Sequence, residues 1–142
     1  MDKNGHLVWN NGNWTEYASD GIRQGLYGST GYTGHLYNIS QKKYRPKSDI
    51  TITIYSQNAK RRAENSNGYL TQIEAMAVNL GHEIEHTTDE AIEMNAKGAS
   101  TVDKEREPSR ITQQLIDEYK MKKELIEIQS FYNMVNDMAL SY

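Results

Sequence analysis

Cysteine is absent from all 142 residues. That excludes a disulfide framework, a CxxC redox pair and a thiolate metal site, and it leaves imidazole and carboxylate groups to hold any metal. No run approaches the ~18 apolar residues of a membrane-spanning helix, so no membrane span is expected. The N-terminus carries no apolar signal segment, so a route out of a cell is expected to depend on a larger bacterial protein or a carrier. Proline occurs twice and phenylalanine once, against ten tyrosines and two tryptophans. With 37% hydrophobic and 25% charged residues, the chain is polar but has enough apolar material to fold. Its length fits a single domain over 1–142 that buries a core without covalent staples.

The formal net charge of -3 conceals an asymmetry. Residues 1–66 hold nine Lys/Arg and five Asp/Glu, +4, whereas residues 67–142 hold seven and fourteen, -7. The basic part centres on Lys42, Lys43, Arg45, Lys47 and Lys60-Arg61-Arg62. No aromatic-interleaved nucleic-acid motif accompanies it, so it reads as solvated loop and no nucleic-acid partner is expected.

The first half reads as strands and loops. His6–Trp9 and Asn13–Tyr17 flank an Asn-Gly turn, the signature of a hairpin. Residues 18–48 are rich in Gly, Ser, Thr and Tyr and read as loops with brief strands, with a short helical turn at 22–27. Asp49–Tyr55 alternates Ile and Thr and predicts a strand, either antiparallel with one half-polar face or at a sheet edge. A strand there is expected to border a cleft and accept an extended peptide. Residues 57–68 read as a polar, basic turn region. The second half reads as mainly helical. Pro108 fits the first turn of a helix carrying Ile111, Leu115, Ile116 and Tyr119. The pattern continues through Leu125, Ile126 and Ile128 to Phe131, Met134, Val135 and Met138, which close the domain or pack on a partner.

Between these halves lies His82-Glu83-Ile84-Glu85-His86, a match to HExxH. Histidines at i and i+4 share one helical face and can reach one metal ion. Glu83 leaves that line yet stays beside the metal, where it can take a proton from a water activated by zinc. No protein nucleophile is needed. Thr71-Gln-Ile-Glu74 is a capping box that marks the helix start. The apolar stripe Ile73, Ala77, Leu80, Ile84 predicts the buried face. Ala75, Val78, Asn79, His82 and His86 lie on the adjoining face, which is expected to border a cleft. This places the motif deep in a long amphipathic helix. Gly81, costly in a helix by about 1 kcal/mol, predicts close approach of another backbone.

A catalytic zinc site takes a third protein ligand. No His-x-x-Gly-x-x-His continuation follows His86, and Asp89 would require the helix to end at once. Glu105 and Glu107 lie about twenty residues on, where a second helix can return to the metal.

On these residues the chain resembles a gluzincin-type zinc metallopeptidase. More narrowly, Leu80-Gly-His-Glu-Ile-Glu-His86, with Glu105 and the helix from Pro108, is similar to effector and polymorphic-toxin metallopeptidase domains of Rhs-type bacterial proteins. The specific part covers residues 70–118; the opening Asn4–Trp14 resembles the strand-and-turn entry of such domains. The order Glu105, Pro108, Ile111, Gln113 resembles the family's pattern around its third ligand, which favours Glu105 with Glu107 as the alternative. Glu85 and Pro108 depart from that pattern, standing where a bulky apolar and a small residue are usual. The resemblance implies a small zincin-like α+β domain in which short antiparallel strands precede a metal-binding helix and a long C-terminal helix. It also implies Zn2+ held by His82, His86 and Glu105, Glu83 as general base, cleavage of a protein or peptide substrate in a target cell, and often an immunity protein. Two other functions fit the same residues: an interaction module with a structural or relic metal site, and a zinc amidase acting on a non-protein amide.

Overall fold

A computed structural model describes residues 5–10, 13–18 and 27–140, and it is an α+β structure of two small antiparallel sheets and four helices. The strands are β1 (Gly5–Asn10), β2 (Asn13–Ala18), β3 (Gly28–Gly31), β4 (His35–Asn38), β5 (Lys43–Pro46) and β6 (Thr51–Tyr55). The helices are α1 (Ser56–Glu64), α2 (Gln72–Glu85), α3 (Asp89–Ala96) and α4 (Thr101–Leu140). Among the described residues no helix is long and apolar enough to cross a membrane.

The expected hairpin is present: β1 and β2 pair antiparallel from Gly5↔Ala18 to Asn10↔Asn13. Its turn, and the helical turn expected at 22–27 apart from Tyr27, lie outside the described residues. The main sheet runs β2-β1-β6-β3, and β4 and β5 form a separate ribbon. The Ile/Thr strand is β6, but it is neither an edge nor half-polar. It pairs with β1 on one side and β3 on the other, and Ile52, Thr53, Ile54 and Tyr55 are all buried. α2 lies on the Ile52/Ile54 face, where Thr30, the cross-strand partner of Ile52, meets Glu83. Ile52 and Ile54 are fully buried, each contributing about 1.5–3 kcal/mol. The described end of this sheet on the cleft side is β3.

Residues 57–68, expected as a turn region, begin with α1. Its buried residues are Ser56, Asn58 and Ala59, so the segment lacks the large apolar residues that advertise a helix. Ala59, Leu70, Ala75 and Val78 form a buried cluster, against which Met76, Leu115, Ile116 and Tyr119 pack. This joins α1, α2 and α4. Small side chains at 59 and 75 let the helices come close.

α2 starts as expected, with Thr71 accepting from the Glu74 amide and Glu74 accepting from the Thr71 amide. Its burial reverses the expected faces. Ile73 and Ile84 are exposed, at 77% and 48%, and Ala77 is exposed too. Ala75, Val78, Asn79 and Glu83 are buried. The chain uses the small-residue face because α1 and α4 pack tightly there, and the larger apolar residues stay outside. Nor is HExxH deep within a long helix: α2 ends at Glu85 and His86 is its C-cap. Thr88 then caps α3, its hydroxyl accepting from the Ala91 amide.

α4 begins seven residues before Pro108. Ser100 accepts from the Asp103 amide, and its carbonyl accepts from the Lys104 amide. Pro108 therefore sits inside the helix and is buried, not in its first turn. Residues 124–140 of α4 are exposed throughout and do not close the domain.

Candidate metal centre

The last turn of α2 and the first two turns of α4 bring together His82, His86 and Glu105, whose ligand-type atoms lie within 4.8 Å of one another. Glu105 spans the two imidazoles. Its Oε2 is 3.0 Å from His82 Nε2 and its Oε1 is 3.2 Å from His86 Nε2. Ligands held about 2.0–2.2 Å from a tetrahedral ion are themselves roughly 3.3 Å apart, so these separations suit a shared metal. The second nitrogen of His82 is occupied: Nδ1 is 2.9 Å from Thr112 Oγ1, one helical face along α4 from Glu105. With Nδ1–H donating to that hydroxyl, the Nε2 lone pair points at the centre, the usual means by which a metal histidine is oriented.

Of the two glutamates open from the sequence, the structure brings Glu105 to the histidines. Glu107 is turned outward to Arg110, 2.6 Å from its Nε, which holds the carboxyl below the usual carboxylate range. Asp89 is likewise engaged elsewhere, 2.9 Å from Lys43 Nζ.

Glu83 stands outside the three-residue group. It is buried, at 6% exposure, and held against β3. The Thr30 hydroxyl lies 2.6 Å from Glu83 Oε2 and 3.0 Å from the Glu83 carbonyl oxygen. Gly28 makes this approach possible. A Cβ there would stand 2.8 Å from Glu83 Cγ and 2.9 Å from the Thr53 carbonyl oxygen. Gly81 has a comparable role on the other side of α2, where a Cβ would come within 2.5 Å of Leu115 Cδ1. The close neighbour expected at Gly81 is thus present, but it is a side chain of α4, not backbone.

A cavity of about 450 Å³ opens over these groups. Gly28, Ser29 and Thr30 of β3 form one wall, so β3 takes the place expected of the Ile/Thr strand; β6 has a paired neighbour on each side. Tyr32 and Asn95 line another part, with the Asn95 amide donating to the Tyr32 hydroxyl at 2.9 Å. Thr30 and Thr112 were not visible from the sequence, being polar residues 53 and 30 positions from their partners.

No protein-family model matches the chain, nor does any curated protein or solved structure.

Proposed function

We propose that this domain is a zinc-dependent endopeptidase of gluzincin type, with His82, His86 and Glu105 as metal ligands and Glu83 as general base. One observation carries the reading. The His-His-Glu group and a separately held, buried carboxylate share one cavity, beside a strand with a single hydrogen-bonded neighbour among the described residues.

When bound, zinc supplies Lewis-acid polarisation of the scissile carbonyl and lowers the pKa of water towards neutrality. The chain's own groups do the rest. Glu83 accepts a proton from the attacking water as its oxygen bonds to the carbonyl carbon. It then returns that proton to the departing amine as the C–N bond breaks. Thr30 fixes the Glu83 carboxylate through Oε2, while Oε1 lies over Gly28. β3 offers the edge that has no strand partner among the described residues to an extended substrate, by addition of a strand to the sheet. The substrate is accordingly a protein or peptide. The resemblance to delivered toxin domains supports an immunity protein as physiological partner.

Glu83→Gln preserves shape and removes the base. It is expected to lower cleavage of a broad peptide mixture by 10²–10⁴-fold with zinc stoichiometry unchanged. His82→Ala and His86→Ala are each expected to abolish stoichiometric zinc by elemental analysis. Full zinc in both histidine variants would sink the ligand assignment. Zinc binding without cleavage of any peptide would favour an interaction module, and hydrolysis confined to non-protein amides would favour an amidase.

A further inference from the structure

Two of the residues that line the cavity, Arg62 and Asn79, carry polar groups that the proposed chemistry does not use. Asn79 is 2% exposed, lines the cavity, and has neither Oδ1 nor Nδ2 hydrogen-bonded among the described residues. Arg62 of α1 lines the same cavity with its Nε buried and without a hydrogen bond among the described residues. Its guanidinium stacks 4.0 Å over the Tyr27 ring and has no carboxylate partner among the described residues. Each buried unsatisfied polar group costs about 1–3 kcal/mol, so three such atoms on two residues lining one cavity call for partners there.

We propose that Arg62 and Asn79, with Tyr27 as platform, form a substrate subsite for a carboxylate. This rests on the peptidase reading and names its substrate class: peptides with an acidic group near the scissile bond. The unpaired guanidinium selects an anion and can hold a carboxylate in a bidentate fork. Asn79 Nδ2 donates to the same carboxylate, and Oδ1 accepts a substrate N–H. Glu83 and Glu105 line the same cavity, and their charge disfavours a dianion such as phosphate more than a singly charged carboxylate. Asn79 precedes Glu83 by one helical turn, a rise of about 6 Å. An extended peptide covers that in about two residues at ~3.3 Å each. The carboxylate therefore belongs to a residue within about two positions of the bond cleaved. It is either an Asp or Glu side chain or the terminal carboxylate of the substrate. Burial lowers the pKa of Arg62 and the neighbouring Tyr27 opposes that shift; at neutral pH the group remains a cation.

The test is a titration of ¹⁵N-labelled, zinc-supplemented Glu83→Gln full chain, which does not require turnover. The readouts are the Arg62 Nε–H and Asn79 side-chain amide resonances. Four alanine-based peptides are compared: capped with a central Glu, capped with a central Gln, uncapped at the C-terminus, and amidated there. Saturable shifts at both residues are expected, with Kd at least tenfold lower for one acidic peptide than for its neutral counterpart. Preference for the Glu peptide identifies a side-chain subsite; preference for the free C-terminus identifies a site for chain ends. Arg62→Gln is expected to remove the discrimination and Arg62→Lys to retain part of it. Kd values within twofold across all four peptides would overturn the proposal. So would discrimination that survives Arg62→Gln, the behaviour of a carboxylate captured by the metal alone. Failure of the wild type to cleave any peptide would refute the peptidase reading and leave this titration fully decisive for the subsite.

Discussion

A hydroxyl on β3 and a carboxylate on α2 meet across 53 positions of sequence, and that contact fixes the proposed base. Thr30→Val keeps the shape of the side chain and removes its proton. A hydrogen bond to a charged group is worth about 1.5–3 kcal/mol, and about 1 kcal/mol shifts Tm by 2–4 °C at this size. The variant is expected to melt several degrees lower by calorimetry and to cleave more slowly, with zinc stoichiometry retained; an unchanged Tm would show that the contact contributes nothing. Gly28→Ala is expected to cost a comparable amount, because the displaced neighbours include the Thr53 carbonyl oxygen as well as Glu83 Cγ. A cost of about 1–3 kcal/mol follows from overpacking, readable as a shifted urea midpoint. The grouping of His82, His86 and Glu105 was legible because it depends on spacing within a helix and between two helices. Thr30 and Thr112 were not legible as site residues, whereas Asn79 falls on the helix face expected to border a cleft and lines the cavity. The importance of the two threonines comes from which elements the fold places beside them, and an isolated Thr carries no trace of that.

At the scale of elements, local chemistry and burial were legible to different degrees. The Thr71/Glu74 capping box was evident because it is closed within four residues. Thr71→Ala is expected to cost about 1 kcal/mol in chemical denaturation. The Thr71 backbone N–H holds the Glu74 carboxyl below its usual 4.5. A depressed acid contributes stability above its unfolded-state pKa and loses it as pH falls through the folded-state value. The penalty for Glu74→Gln is therefore expected to be largest at neutral pH and to shrink on acidification below about pH 4; a penalty independent of pH would detach the Glu74 charge from the cap. Which face of α2 is buried was not legible. Periodicity favours Ile73 and Ile84, yet the packed face carries Ala75 and Val78, because close helix approach rewards small residues. α1 was missed for the same reason, since Ala59 and Ala63 are its only apolar residues.

The whole molecule divides along α4. Ile111, Leu115, Ile116 and Tyr119 hold the helix to the body, whereas residues 124–140 leave it, exposing Leu125, Ile126, Ile128, Phe131, Tyr132 and Met134 among others. Such a stretch makes no demand on the core. Removing residues 125–142 is expected to leave Tm within about 2 °C and zinc stoichiometry unchanged; a large fall would show that the distal helix stabilises the domain.

The two sides of the metal group have a further consequence, one of chain topology. His86 ends α2 and Glu105 lies in α4, so a bond between them through an ion would close the intervening chain, α3 included, into a ring. Cross-linking a loop lowers the entropy of its open states by an amount that grows with the logarithm of its length. α3 contributes one buried residue, Ile92, and is capped by a single threonine, so opening there meets little resistance from packing. Amide deuterium uptake across Asp89–Ala96 is therefore expected to accelerate when zinc is removed by a chelator, while uptake in β6 stays slow. Equal uptake in α3 with and without the metal would mean that the ring is never closed.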